Sequence, residues 1–149
     1  MNNSLILVTN DDGIHSRGLA AAARAAMRVG DVVIAAPNEQ QTAMGRAYSR
    51  REDLGIIDVV ELNIGLEEPV QAYAVHGSPG YAAAYGIAEI AVKVKGRRPD
   101  LTTLLQLYGV EDDRRVTPMI LECVSKSQEM QFRVDLTAFQ GDFPQVYWR

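Results

Sequence analysis

The sequence predicts an α/β fold built on a mostly parallel sheet. Three observations carry that expectation. Leu5-Ile6-Leu7-Val8 is a short continuous apolar run that ends in the turn formers Asn10-Asp11-Asp12-Gly13, the pattern of a strand covered on both faces. The segment 18–28 is rich in alanine, from Leu19-Ala20-Ala21-Ala22-Ala23 to Ala25-Ala26-Met27, and has strong helix propensity. Asp31-Val32-Val33-Ile34-Ala35-Ala36-Pro37 reads as a second buried strand. Strand, helix and strand in under forty residues make a βαβ unit, and such units build parallel sheets with a right-handed crossover.

The remaining elements follow in order. Gly30 is placed to stop the first helix. Residues 38–51 are polar, hold Gly45 and several amides, and read as a loop with room for a short helix. Residues 55–66 contain a hairpin-like strand, Ile56-Ile57-Asp58-Val59-Val60, and 70–75 are another strand candidate. In His76-Gly77-Ser78-Pro79-Gly80, Ser78 suits a helix cap and Pro79 the first helical position. The helix is expected over 81–93, with Gly96 closing it, and residues 101–107 form a further strand candidate. Beyond Tyr108 the pattern is less regular. A mixed charge cluster, Glu111-Asp112-Asp113-Arg114-Arg115, precedes two β-like runs over 116–124 and 130–136 and an aromatic stretch, Val146-Tyr147-Trp148-Arg149.

The 149 residues suit one domain, 1–149, with 47% hydrophobic and 23% charged residues. A net charge of -4 argues against binding to a nucleic-acid polymer, which needs a basic face. An acidic protein that handles phosphate does so through a metal ion or a localised pocket. Cys123 is the single cysteine, which excludes an intrachain disulfide and a thiolate zinc cluster. The start has no basic leader, and no stretch approaches the ~20 apolar residues of a membrane span. The expectation is a cytoplasmic protein with no membrane partner.

In an open α/β sheet, ligands sit beyond the carboxyl ends of the strands. Three loops fall there: 9–13, 38–45 and 76–80. Asp11 and Asp12 stand side by side in the first, where two carboxylates repel unless a cation compensates. A hard divalent ion suits such oxygen ligands. The alternative is a solvated Asx-rich turn with Gly13 at positive φ. His15 is a proton donor or a helix-start hydrogen-bonder. His76-Gly77-Ser78 is a phosphate-holding helix start or simply a cap. Thr42 offers a hydroxyl in a polar loop. Arg97 and Arg98 form an anion site or an exposed pair, and Tyr81 with Tyr85 a base platform or a packing stripe.

Taken together, the strings resemble one family. Leu5-Ile6-Leu7-Val8-Thr9-Asn10-Asp11-Asp12-Gly13-Ile14-His15 is similar to the N-terminal signature of the SurE nucleotidases, and Gly18 matches the glycine that opens their first helix. Ala36-Pro37, then Gln41-Thr42 and Gly45, resembles the second family motif, where a serine normally stands at the place of Thr42. Val75-His76-Gly77-Ser78-Pro79 and Arg98-Pro99-Asp100-Leu101 resemble the next two segments. The likeness spans residues 4–101 and leaves 102–149 as a diverged or truncated part.

The resemblance implies a three-layer, Rossmann-like sheet and a divalent-metal-dependent phosphatase. Its substrates would be nucleoside 5'-monophosphates, with 3'-monophosphates and short polyphosphate as further candidates. Mg²⁺ or Mn²⁺ would be held by Asp11, Asp12 and Thr42, Asn10 would orient the phosphate, and Thr42 and Gly45 would line the substrate site. Asn10, Asp11 and Asp12 would carry catalysis, in a homo-oligomer, a dimer or a tetramer. Two features depart from the pattern. Leu107 stands where the family has a metal-binding asparagine, with no asparagine anywhere after Asn63, and Ala43 replaces the glycine after the metal-binding serine. A non-catalytic relative that keeps weak metal or nucleotide binding is the second reading. A signalling receiver domain also carries an acidic pair after its first strand, but Val75-His76-Gly77 offers no phosphoacceptor aspartate.

Overall fold

The computed structural model describes residues 4–40, 53–104 and 146–149. Strand β1 (Leu5–Thr9) is buried along its whole length, one residue beyond the apolar run. Helix α1 (Arg17–Met27) starts at Ser16, whose Oγ accepts the Leu19 N–H at 3.1 Å and satisfies one of the helix's open donors. Strand β2 (Asp31–Pro37) returns in parallel to β1, with Leu5 opposite Asp31 and Val8 opposite Ile34. This is the expected βαβ unit.

Strands β3 (Ile56–Leu62) and β4 (Val70–Val75) form an antiparallel hairpin, and β4 also pairs in parallel with β2. Helix α2 (Pro79–Tyr85), a π-helical turn (Gly86–Ile90) and helix α3 (Ala91–Lys95) follow in one run. Ser78 caps the start, and Gly96 ends it in the left-handed conformation. Strand β5 (Leu101–Leu104) then pairs in parallel with β1, with Leu104 opposite Thr9. Strand β6 (Tyr147–Trp148) adds in parallel to β3, which gives the sheet order β5-β1-β2-β4-β3-β6.

Alternate side chains of the buried strands point to opposite faces. Ile6, Val8, Ile34 and Ala36 pack under α1, whereas Leu5, Leu7, Val33 and Ala35 pack under the α2–α3 run. The result is the α/β arrangement that the sequence predicts, in the three layers that the resemblance implies. The β1-to-β2 crossover leaves β1 on one side, and the β4-to-β5 crossover returns past it to the other. Winding therefore reverses at β1, so the carboxyl end of that strand is the natural ligand position.

Two expectations change in detail. Helix α1 ends at Arg28 in an ordinary right-handed conformation, and Gly30 is not among the glycines at positive φ. Gly30 is needed for space instead: a Cβ there would lie 2.7 Å from the Ser4 carbonyl oxygen. The stretch 146–149, expected only as an aromatic end to a less regular part, joins the sheet beside β3. Tyr147 and Arg149 donate to the Gly55 and Ile57 carbonyls, each at 2.8 Å, and the Val59 N–H donates to Arg149. Trp148 meets Tyr73 edge-on at 5.9 Å, with the Lys93 ammonium 4.0 Å above its ring. The expected strands over 116–124 and 130–136, and residues 105–107 of the fifth strand, lie outside the described residues. Among the described residues, no helix is long and apolar enough to cross a membrane.

Candidate functional site

The carboxyl end of β1 breaks into the acidic turn because Asn10 supplies its hydrogen bonds. The Asn10 Oδ1 accepts the Gly13 N–H at 3.2 Å, and its Nδ2 donates to the Gly13 carbonyl at 3.2 Å and to Ser16 Oγ at 2.7 Å. Ser16 in turn caps α1, so one buried amide ties the turn to the helix. Gly13 takes φ 105°, a conformation that side-chain-bearing residues avoid. A Cβ there would also stand 3.1 Å from the Glu39 carbonyl carbon and 3.2 Å from the Gln40 nitrogen. Ile14 N–H donates to the Pro37 carbonyl at 2.8 Å. The turn is thereby pressed onto the backbone that leaves β2.

This packing buries Asp11 and leaves Asp12 half-buried. Burial and, secondly, the neighbouring Asp11 charge push the Asp12 carboxyl above the usual carboxylate range. A carboxyl held up in this way beside a second carboxylate is suited to a cation, and both donors are hard oxygens, which fits Mg²⁺ or Mn²⁺. Thr42 and Gly45, expected in the same site, lie outside the described residues, as does Leu107, three positions beyond Leu104. Among the described residues, no group of three or more histidine, cysteine, aspartate or glutamate side chains gathers as a metal centre.

The other candidates divide clearly. His15 is exposed and borders a small cleft with Glu61 and Asn63. Ser78 is buried and accepts the Tyr81 N–H at 3.5 Å, which is a cap. Tyr81 and Tyr85 stack at 5.9 Å but are both buried, so they pack and offer no open base platform. Arg97 pairs with Asp100 at 2.6 Å, and the same carboxylate oxygen accepts the Leu5 N–H at 2.8 Å, which anchors the start of β1. Arg98 is exposed.

Sequence reasoning missed a second polar cluster, at the end of β4. His76 is buried, with Nδ1 2.6 Å from Asp53 and Nε2 2.6 Å from Asp58. Arg149 closes on Asp58 with its Nε at 2.7 Å and an Nη at 3.1 Å. The available signal was Asp58 itself, a charge amid Ile56-Ile57-Asp58-Val59-Val60 and opposite the small Ala74. Arg149, hydrogen-bonded and held close by, and then His76 outweigh burial and depress the Asp58 carboxyl to about 2. A carboxyl whose folded pKa is lowered stabilises the fold above its unfolded value, and that contribution disappears as pH falls through the folded one. Urea unfolding should therefore lose stability from about pH 4 down to about 2, and Arg149→Met should flatten that limb. An unchanged acid limb in the variant would show that the pair is not coupled to folding.

Comparison with known proteins bears on the acidic turn. The family model described as Survival protein SurE matches residues 6–103, about two thirds of the chain. The chain belongs to the SurE family. A 5'-nucleotidase SurE of Methanopyrus kandleri is 42% identical over 96 residues, covering 64% of this chain and 33% of that protein. The 5'-nucleotidase SurE of Methanothrix thermoacetophila is 41% identical with the same coverage. The solved SurE protein from Aquifex aeolicus aligns over 78% of this chain and 44% of its own, at 19% identity and a TM-score of 0.42. The matched part of this chain thus spans about a third of the length of those curated SurE proteins. The matched stretch contains the acidic turn and both halves of the switch point at β1.

Proposed function

We propose that this SurE-family chain is a divalent-metal-dependent phosphatase that releases phosphate from nucleoside 5'-monophosphates. The observation that carries the reading is the acidic pair at the point where the sheet's winding reverses, buried at Asp11 and resisting ionisation at Asp12. The name 5'-nucleotidase on the relatives supplies the substrate class. Asp11 and Asp12 would hold Mg²⁺ or Mn²⁺, with Thr42 as a further oxygen. Bound there, the ion supplies charge neutralisation for the phosphoryl oxygens and activation of a water nucleophile. Asn10 spends its side chain on the turn and so positions both carboxylates. The net reaction breaks the P–O bond to the nucleoside and places the water oxygen on phosphorus.

A second reading is a non-catalytic relative that retains weak metal or nucleotide binding. Leu107 in place of an asparagine favours it. One assay separates the two. Purified chain is incubated with a nucleoside 5'-monophosphate and Mn²⁺, Mg²⁺ or EDTA, and free phosphate is followed. Metal-stimulated release that EDTA abolishes is the expected result. No release, combined with calorimetric uptake of Mn²⁺, would leave the second reading standing. 3'-Monophosphates and short polyphosphate belong in the same assay as alternative substrates.

A further inference from the structure

His76, the residue just after β4, lies between two carboxylates on opposite sides of its ring. Nδ1 is 2.6 Å from Asp53 Oδ2, and Nε2 is 2.6 Å from Asp58 Oδ2. A carboxylate only accepts, so each contact needs a proton on the ring nitrogen. A neutral imidazole has one N–H and one lone pair, and satisfies one contact of the two. Charge balance points the same way. Two carboxylates against the Arg149 guanidinium leave one negative charge over, around a His76 side chain only 11% exposed. An imidazolium cancels it.

The ring meets Asp53 from the turn before β3, Asp58 from β3 and Arg149 from the residue after β6. One Arg149 Nη is 3.4 Å from Nε2 and converges with it on Asp58 Oδ2. From α2, Tyr81 packs beside the adjoining Gly77. Both carboxylates are tied to the stretch 146–149. Asp58 Oδ1 accepts the Arg149 Nε–H at 2.7 Å. Asp53 opens a turn, closed by the Ile56 N–H on its carbonyl at 3.2 Å, whose Gly55 carbonyl accepts the Tyr147 N–H at 2.8 Å.

We propose that Asp53, His76 and Asp58 form a proton-operated clasp that fastens β6 to the sheet. With both ring nitrogens protonated, the clasp is shut. Loss of either ring proton turns a lone pair onto a carboxylate oxygen at 2.6 Å, and that pair must part. Parting on the Asp53 side shifts the turn that carries Gly55. Parting on the Asp58 side shifts the anchor of Arg149. Either way, the contacts that hold β6 are the ones disturbed. Histidine is the side chain whose charge ordinarily changes near physiological pH, which suits it to this task.

NMR of the ring nitrogens and backbone amides of the full chain, titrated from about pH 5 to 9, tests the clasp. On the acid side of the titration His76 should show two protonated nitrogens. As one proton leaves, the Gly55 and Tyr147 amide signals should shift with it, and hydrogen-exchange protection at Tyr147 should fall about tenfold. The indole signal of Trp148, the single tryptophan, should follow. His15, the other histidine, is exposed, and its titration should move none of these signals. Asp53→Asn separates the switch from packing, because a side-chain amide either accepts from a ring N–H or donates to a ring lone pair. In that variant Tyr147 should stay protected across the range. A single protonated nitrogen on His76 at every pH would overturn the proposal. So would ring deprotonation that leaves Gly55 and Tyr147 unmoved, or an Asp53→Asn chain that loosens with pH as the unmodified one does.

Discussion

Asp11→Asn is expected to abolish metal-stimulated phosphate release while leaving the protein folded. The substitution keeps the size and shape of a buried side chain and removes one of two adjacent negative charges. Losing an outer partner of a metal ligand commonly costs 10–100-fold in affinity or activity, so losing a ligand should cost more than about 100-fold. The fold should not suffer, because the Asp11 charge is one of the two causes that hold the Asp12 carboxyl up. With that repulsion gone, Asp12 ionises more readily and metal-free stability stays level or rises. Phosphate release, MnCl₂ titration and melting in EDTA measure the three effects separately. Activity within tenfold of the unmodified chain would remove Asp11 from the machinery. A large fall in melting temperature would show instead that its carboxylate is a structural acceptor.

The βαβ unit was legible because its signals are local. A continuous apolar run, an alanine-rich stretch and a second apolar run need no partner to be recognised, and Ser16 and Ser78 cap where a short polar residue meets a helix start. Gly30 illustrates the limit. A glycine after a helix reads as a left-handed stop, whereas here it makes room for the Ser4 carbonyl, a contact made across 26 positions of sequence. The His76 cluster was invisible for the same reason. Its members come from the turn before β3, from β3, from the residue just after β4 and from a segment 91 residues beyond Asp58. No window of sequence contains that arrangement.

The acidic turn is an intermediate case. Its residue types announce a turn and suggest a cation, but adjacency in sequence cannot say which side chain builds the turn and which faces a ligand. The structure answers the first part: Asn10 builds the turn, with three hydrogen bonds to Gly13 and Ser16.

Asn10→Leu should lower stability by about 2–3 kcal/mol, roughly 5–10 °C in melting temperature for a chain of this size. The leucine fills a similar volume, so the loss is one of polar satisfaction. Gly13 C=O keeps the Ser16 N–H at 3.1 Å, and Ser16 Oγ keeps its bond to Leu19. The buried Gly13 N–H is left with nothing to replace Asn10 Oδ1, and an abandoned buried donor carries most of the cost. Asn10→Asp restores that acceptor but removes both Nδ2 bonds and sets a third carboxylate beside Asp11 and Asp12. Without metal it should be no better than the leucine, and with Mn²⁺ it should recover the most. Below the melting transition, the kinetics distinguish two roles for Asn10. A residue that clamps the turn loses Mn²⁺ affinity when replaced, because the carboxylates no longer converge. A residue that touches the phosphate raises KM for the nucleotide at unchanged Mn²⁺ affinity. The three hydrogen bonds to Gly13 and Ser16, with the residue 1% exposed, make the first pattern the expected one.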